Sequence, residues 1–314
     1  MGPKVIYIQK QLEEKIENLE LFPKYINIET RNTCNARCSM CAIDFDNRPL
    51  ITMKQELFSK IVKEISEWKD HVRLVNLYFD NEPLLDRKLH LRIKELKDAG
   101  TKRVVIATNA SALNQVRSKE LILSGLDEIF IGLDSLKKSV YEKIRVRLKF
   151  EKVINNIINF NIIRNKLKGK TRIRLQMIYQ EENSSEVNDF KKWGKKYLSP
   201  NDLIVAHKVH NWGRQLDIKN LTTDKFINSI PCTAIWSNLQ IHADGRVALC
   251  SNDTKMKSKH TLGYANKSSL AEIWNGFPLK KIRERHLKGE RSGYPLCDGC
   301  TTWRPNNNFS KFTV

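Results

Sequence analysis

The chain has 314 residues, 40% of them apolar and 29% charged, a balance that excludes disorder and allows a large core with two domains. Lys and Arg outnumber Asp and Glu by 55 to 35, a net charge of +20; that points to an acidic partner or to a lysine-rich solvated surface. No run approaches the roughly 18 apolar residues of a membrane span, and the first residues lack the plan of a signal peptide, so a cytoplasmic protein with no membrane partner is expected.

Residues 5–22 form a short amphipathic lead-in, predicted to be helical and to pack on the edge of the fold; it accounts for a first segment over 1–22. Strands then follow near 24–30, 73–80, 103–109, 128–134, 171–179 and 203–210, each an apolar run rich in β-branched residues. Helical patterns lie between them near 53–69, 86–99, 112–124, 139–165 and 185–197, with stops at Gly100 and Gly125. Six such repeats predict an α/β fold over 23–215, a partial (β/α)6 barrel that does not close.

Directly after the first strand comes Cys34-Asn-Ala-Arg-Cys38-Ser-Met-Cys41. Barrel chemistry sits at the C-terminal ends of strands, where this loop falls. Three thiolates so close in sequence can hold three corners of an iron-sulfur cube and leave one iron open to a small molecule. A zinc knuckle that borrows a fourth ligand is the alternative. The seven cysteines are an odd number, which suits metal ligation in a reducing compartment better than a disulfide framework.

A polar connection over 211–230 leads to a small α+β region, 231–314, that begins at Pro231-Cys232. Leu239 to Cys250 reads as a hairpin around Asp244-Gly245 and brings Cys232 and Cys250 together at its base. Ser269-Leu-Ala-Glu272 is a capping box opening a short helix. Cys297-Asp-Gly-Cys300 closes the region, so four thiolates converge. On their own they would suit structural zinc as well as iron and sulfur.

The C-x3-C-x2-C spacing after Tyr25-Ile-Asn-Ile28 resembles the signature of the radical S-adenosylmethionine (SAM) enzymes. The later pattern of Cys232, Gly245-x4-Cys250, Leu262-Gly-x-Ala-Asn266, Ile273-Trp-Asn-Gly276 and C-x2-C resembles the auxiliary domain of their SPASM/twitch branch. Four cysteines match the shortened twitch form with one extra cluster, in a spacing similar to that of amino-cyclitol dehydrogenases of this branch. The resemblance implies two 4Fe-4S clusters and SAM, with Cys34, Cys38 and Cys41 on the first cluster and Cys232, Cys250, Cys297 and Cys300 on the second.

Asp80-Asn81-Glu82-Pro83 stands where the family has Gly-Gly-Glu-Pro, which implies that Asn81 and Glu82 receive the methionyl amino group. By the same resemblance Met40, Asn109 of the Thr108-Asn109 turn, Asp134 and Ser135 at the ribose, and Gln176 contact SAM, with Gly132 standing where a serine is usual. Arg145 reaches back toward SAM or substrate. His210, in His210-Asn-Trp-Gly213, lines the substrate cavity.

The activity so implied is abstraction of hydrogen from a C–H bond through a 5'-deoxyadenosyl radical, and the preferred reaction is oxidation of a secondary alcohol on a sugar, cyclitol or nucleotide-linked carbohydrate. Radical epimerisation of a sugar or peptide is the second reading, and a zinc-stabilised nucleic-acid-binding protein is the non-enzyme alternative. The expected partners are a small substrate, anionic like a sugar phosphate or nucleotide sugar, and an external one-electron reductant such as flavodoxin or ferredoxin. Nucleic acid is not an expected partner.

Overall fold

A computed structural model describes residues 21–45, 49–213, 215–217, 227–229, 231–254 and 261–300. The lead-in expected over 5–22 lies outside these apart from its last two residues, of which Phe22 is buried and stacks on Trp68 at 5.1 Å.

Six strands of the core run parallel: β1 (Tyr25–Ile28), β3 (Leu74–Asn76), β4 (Val104–Thr108), β5 (Glu128–Gly132), β7 (Arg172–Tyr179) and β8 (Leu203–Lys208), neighbours in that order. One face is a continuous apolar row in which Ile26 lies beside Val75 and Val75 beside Val104, while Ile106, Ile129 and Ile173 are aligned next to it. The opposite face carries polar groups, among them Asn27 and Asn76, whose side chains bond at 2.6 Å. Parallel strands need crossovers, and the helices α1 (Gln55–Glu67), α2 (Leu89–Asp98), α3 (Gln115–Leu123), α5 (Phe150–Lys166) and α6 (Val187–Tyr197) supply them. Helix α1 buries Phe58, Ile61, Val62 and Ile65, the i, i+3, i+4, i+7 stripe of a helix packed on a sheet. The expected stops at Gly100 and Gly125 hold φ of +85° and +84°, where a side chain would be strained.

Two features depart from the expected plan. The single helix expected over 139–165 is two, α4 (Lys138–Ile144) and α5, split by the short strand β6 (Arg145–Val146). β6 pairs antiparallel with β2 (Arg37–Cys38) inside the cysteine loop, and that pairing overrides helical propensity there. The region after 231 also shares the core sheet. Strand β9 (Asn238–Ile241) lies parallel to β1, with Tyr25 opposite Asn238 and Ile28 opposite Ile241, and β10 (Arg246–Ala248) and β11 (Gly263–Tyr264) extend it antiparallel. The expected hairpin is present, with Gly245 at φ +88°. Helices α7 (Leu270–Trp274), opened by the Ser269 to Glu272 capping box, and α8 (Phe277–Leu287) cover it. Among the described residues β8 has no partner on its outer side, so the barrel stays open.

Candidate active site and cysteine centres

The loop from Cys34 to Cys41 is held at almost every residue. Thr33 accepts from the Glu82 amide at 2.8 Å; the Asn35 side chain bonds Ser111 at 2.8 Å and Asn109 at 2.9 Å. The Ser39 amide donates to Ile144, and Trp212 Nε1 donates to the Met40 carbonyl at 2.8 Å. None of the three cysteines is in a disulfide. Donors point at their sulfurs: the Ala36 amide at Cys34 (3.4 Å), Arg145 Nη1 at Cys38 (3.6 Å) and Asn109 Nδ2 at Cys34 (4.0 Å). Burial, with the charge of neighbouring cysteines adding to it, pushes the Cys34 thiol up to about 12 and the Cys41 thiol up to about 11. Metal ligation deprotonates a thiol outright and removes that penalty. Three thiols on one short loop, with a cation and amide donors at their sulfurs, fit a cluster with one open iron.

The residues expected around this loop divide into two sets. Asn109 stands against the loop, and Asn81 makes the turn possible without glycine by accepting from the Phe79 amide at 3.0 Å. Glu82 is 2% exposed, and its carboxylate accepts from Thr108 Oγ1 (2.6 Å), the Asn109 amide (2.7 Å) and the Leu84 amide (3.1 Å), while burial raises its pKa. It is first of all a strut joining the ends of β3 and β4. Met40 packs with Ile144 and Val209 in a small apolar cluster.

Asp134 and Ser135 are already engaged within the protein. Both are fully buried: Asp134 accepts from Arg145 Nε (2.5 Å) and the Ile178 amide (2.7 Å), and the Ser135 hydroxyl donates to Glu186 (2.8 Å). Arg145 lies against the cysteine loop, not on a solvated helix, and Gly132 makes room for it, since a Cβ there would stand 2.4 Å from Arg145 Nη2. Gln176 is opposite Gly132 in register and shares its polar face, while Leu175 and Met177 are buried on the other. His210 accepts from the Trp212 amide through Nδ1 at 3.1 Å, which fixes the neutral tautomer, and burial lowers its pKa to about 4. It orients Trp212 and carries no charge at neutral pH.

The second cysteine group gathers from three segments. Cys297 and Cys300 are buried, Cys232 and Cys250 half-buried, and each thiol whose pKa is displaced upward is pushed by burial and by charge on others of the four; Cys297 reaches about 12. The Asn252 side chain donates to Cys300 Sγ at 3.4 Å, and the Cys232 amide donates to His286 Nδ1 at 3.2 Å. Arg291, 1% exposed, donates to the Cys297 carbonyl at 3.2 Å, and its charge opposes the rise at Cys232 and Cys297. Among the described residues no three His, Cys, Asp or Glu side chains close around a single ion. Four thiols from three segments are a donor set that suits an iron-sulfur centre ligated on all sides.

A buried polar chain, unmarked in the sequence, runs from the end of β1 to the second group. Glu29 at the end of β1 accepts from His242 Nδ1 (3.3 Å) and the Ala243 amide (3.0 Å); His242 Nε2 meets Arg246 Nη2 at 2.6 Å, and Arg246 reaches Asp253 at 3.4 Å. The Asp253 amide in turn donates to the Cys250 carbonyl.

Residues 28–171 match the model of the radical SAM superfamily, and residues 232–301 that of the SPASM iron-sulfur cluster-binding domain. The chain is a radical SAM protein carrying a C-terminal SPASM domain. A probable GTP 3',8-cyclase of Sulfurisphaera tokodaii is 28% identical over 165 residues, 52% of this chain and 50% of that protein. The structure of BtrN in complex with AdoMet and 2-DOIA is similar with a TM-score of 0.60 at 18% identity, over 90% of this chain and 94% of that one. SuiB of Streptococcus suis bound to precursor peptide SuiA gives 0.64 at 15% identity, over 86% and 68%. At these identities the two structures show a shared fold. The chain spans about half the length of the first curated relatives it matches. The radical SAM domain implies a 4Fe-4S cluster and SAM, and the SPASM domain further iron-sulfur. No helix among the described residues is long and apolar enough to cross a membrane.

Proposed function

We propose that this radical SAM protein is a dehydrogenase that oxidises a secondary alcohol of an anionic carbohydrate, a sugar phosphate or nucleotide sugar. Cys34, Cys38 and Cys41 would hold the SAM-binding cluster, and Cys232, Cys250, Cys297 and Cys300 a second, fully ligated one. Bound there, these groups supply one-electron cleavage of SAM, hydrogen-atom abstraction and an electron acceptor.

The observation that carries the reading is the division of the seven cysteines into groups of three and four, which leaves no thiol to return a hydrogen atom. An epimerase must return one. A dehydrogenase removes a hydrogen atom from carbon, a proton from the hydroxyl and one electron, and needs no donor. The residues of the chain contribute position. Glu82, Asn109 and Asn35 fix the loop against the strand ends, Arg145 places a cation beside Cys38, and the polar face holding Gln176 offers hydrogen-bonding groups to hydroxyls. The excess of basic residues supports an anionic substrate.

Turnover in deuterium oxide tests the reading. A product lighter by two hydrogens, with one SAM consumed per turnover, is expected; product of unchanged oxidation level carrying one carbon-bound deuterium would overturn it. The name carried by the Sulfurisphaera relative favours a second reading, ring closure on a purine nucleotide. Incubation with GTP separates the two, because cyclisation consumes GTP without loss of two hydrogens.

A further inference from the structure

We propose that Gln215 is a positioning residue: acting through Trp212, it makes the placement of the core cysteine loop depend on the folded second cysteine group. The proposal rests on the radical SAM reading above and adds to it a coupling between the two groups.

Beyond the end of β8 the chain turns sharply, with the Leu216 amide donating to the Asn211 carbonyl at 3.1 Å. Trp212 takes φ +51° there, a conformation that costs a residue with a side chain free energy and persists where the surroundings hold it. Its holders lie on two sides. Toward the core, the Trp212 amide donates to His210 Nδ1 at 3.1 Å, the two rings lie 4.9 Å apart, and the indole Nε1 donates to the Met40 carbonyl at 2.8 Å. Met40 stands between Cys38 and Cys41, so this last bond fixes the backbone that joins two of the three core thiols.

Toward the second group the contacts are as direct. Gly213 passes so close to Leu296, the residue before Cys297, that an added Cβ would stand 2.7 Å from its carbonyl oxygen. The Gln215 carboxamide uses both of its ends: Nε2 donates to the Trp212 carbonyl at 2.8 Å and to the Asn252 carbonyl, and Oε1 accepts from Thr254 Oγ1 at 3.0 Å. Asn252 and Thr254 are buried and belong to the turn after Cys250, where the Asp253 amide donates to the Cys250 carbonyl at 3.1 Å. Asn252 Nδ2 also donates to Cys300 Sγ at 3.4 Å. Gly213 and Gln215 thus tie the clamp on Met40 to segments that carry three of the four cysteines, Cys250, Cys297 and Cys300.

A carboxamide held by three hydrogen bonds cannot shift without leaving a partner unpaired, so Gln215 transmits position rather than absorbing it. Its anchors, Asn252 and Thr254, are in place only when the turn after Cys250 has closed on Cys300. Where that group is not assembled, Trp212 loses a holder at its costly φ, and the Met40 carbonyl loses its clamp. The consequence suits a dehydrogenase. A core site that worked fully without the second group would generate a substrate radical with nowhere to send its electron; the tie sets the core loop where the thiols of the acceptor are already gathered. Coupling between sites is typically about 5- to 150-fold, and a tie made of single hydrogen bonds belongs at the low end.

The test uses the full chain with its clusters reconstituted. Amide hydrogen exchange over residues 36–43, the EPR signature of the reduced core centre with and without SAM, and kcat and KM for SAM are compared in the wild type, Q215L, T254V, T254S and C297A/C300A. S269A, which removes a helix cap in the same region without touching the tie, is the control. Q215L should keep the iron of both groups, exchange about fivefold faster over 36–43, raise KM for SAM by a similar factor with a smaller change in kcat, and alter the SAM-bound signature. T254V should show a smaller effect of the same kind, and T254S, which keeps the hydroxyl, should restore wild-type behaviour. C297A/C300A should loosen the same segment, and Q215L added to it should loosen it no further, because both act along one path. Q215L that melts earlier yet leaves exchange over 36–43 and the core signature unchanged would overturn the proposal, as would additive effects in the combined variant or equal loosening by S269A. If Q215L fails to fold or to load iron, the T254V and T254S pair decides in the same terms. A loaded wild type that neither binds nor cleaves SAM would instead overturn the radical SAM reading, while the exchange data would still report the coupling.

Discussion

The two cysteine groups are built in opposite ways. The core group lies on one short loop, and side chains from the strand ends, Glu82, Asn109, Arg145 and Trp212, hold that loop in place. The C-terminal group is assembled from segments as far apart as Cys232 and Cys300, joined through β9, β10 and the turn after α8. A local loop keeps its three sulfurs near each other even when its supports shift. A dispersed set requires the whole region to fold first, and here it does so on the core sheet through β9 and β1. The first group therefore suits a site that must stay open to an incoming molecule, the second a closed centre.

The largest expected effect separates the two outright. Replacing Cys34, Cys38 and Cys41 together by Ala should remove about half of the bound iron and all reductive SAM cleavage. C297A/C300A should lose the other half and all product while SAM is still cleaved. Iron analysis with quantified 5'-deoxyadenosine would contradict the division of labour if cleavage survived the first change or vanished in the second.

A smaller effect is expected at Gly132, where an added methyl would collide with the Arg145 guanidinium. G132A should cost about 1–3 kcal/mol of stability as an overpacked site and displace Arg145 from Cys38. The spectroscopic signature of the core centre should change and that of the second should not. Equal perturbation of both would mean that the groups are coupled more tightly than their separate construction suggests.

Arg291 offers the reciprocal experiment. Being buried beside Cys297, it places a positive charge at the closed group. R291M should lower the reduction potential of that centre and leave the core centre unchanged, and R291K should restore part of the shift. An unchanged potential in R291M, measured by EPR-monitored titration, would show that Arg291 serves packing alone.

What could be read before the structure follows the same division. The core strands were legible because apolar β-branched runs mark buried parallel strands, and the core cysteines because their ligand geometry is local. The break at Arg145 was not, since residues on both sides of it favour a helix and its cause is β2, more than a hundred residues earlier. Gly132 could be read only as a missing serine; that it makes space for Arg145 depends on a contact that no spacing encodes. Alternation marked Leu239 to Ile241 as a strand but could not name β1 as its neighbour. His242, Arg246 and Arg291 carried no signal, because buried charged residues look like surface ones until their partners are known.

The smallest effect at neutral pH concerns the support of the core loop. His210 is buried and neutral, with its pKa lowered to about 4 from 6.5 by loss of hydration, and its Nδ1 accepts from the amide of Trp212, which ties down Met40. A depressed pKa means that the unfolded chain binds the proton more readily than the folded one. Its contribution to stability is therefore complete above pH 6.5, declines as pH falls toward 4, and is fully lost below that; for a shift of this size the loss is at most about 3 kcal/mol. Protonation also removes the lone pair that the Trp212 amide needs, so the C-terminal end of the core loop should loosen first. The second group is reached only at further remove, from the Trp212 carbonyl through Gln215 to Asn252, which donates to Cys300 Sγ. Denaturant melts between pH 7 and 4 should show a decline that H210Q reduces. Over the same range Trp212, followed by fluorescence against a W212F reference, should change before the SPASM region unfolds. A pH profile identical in wild type and H210Q would show that His210 is not the group that titrates.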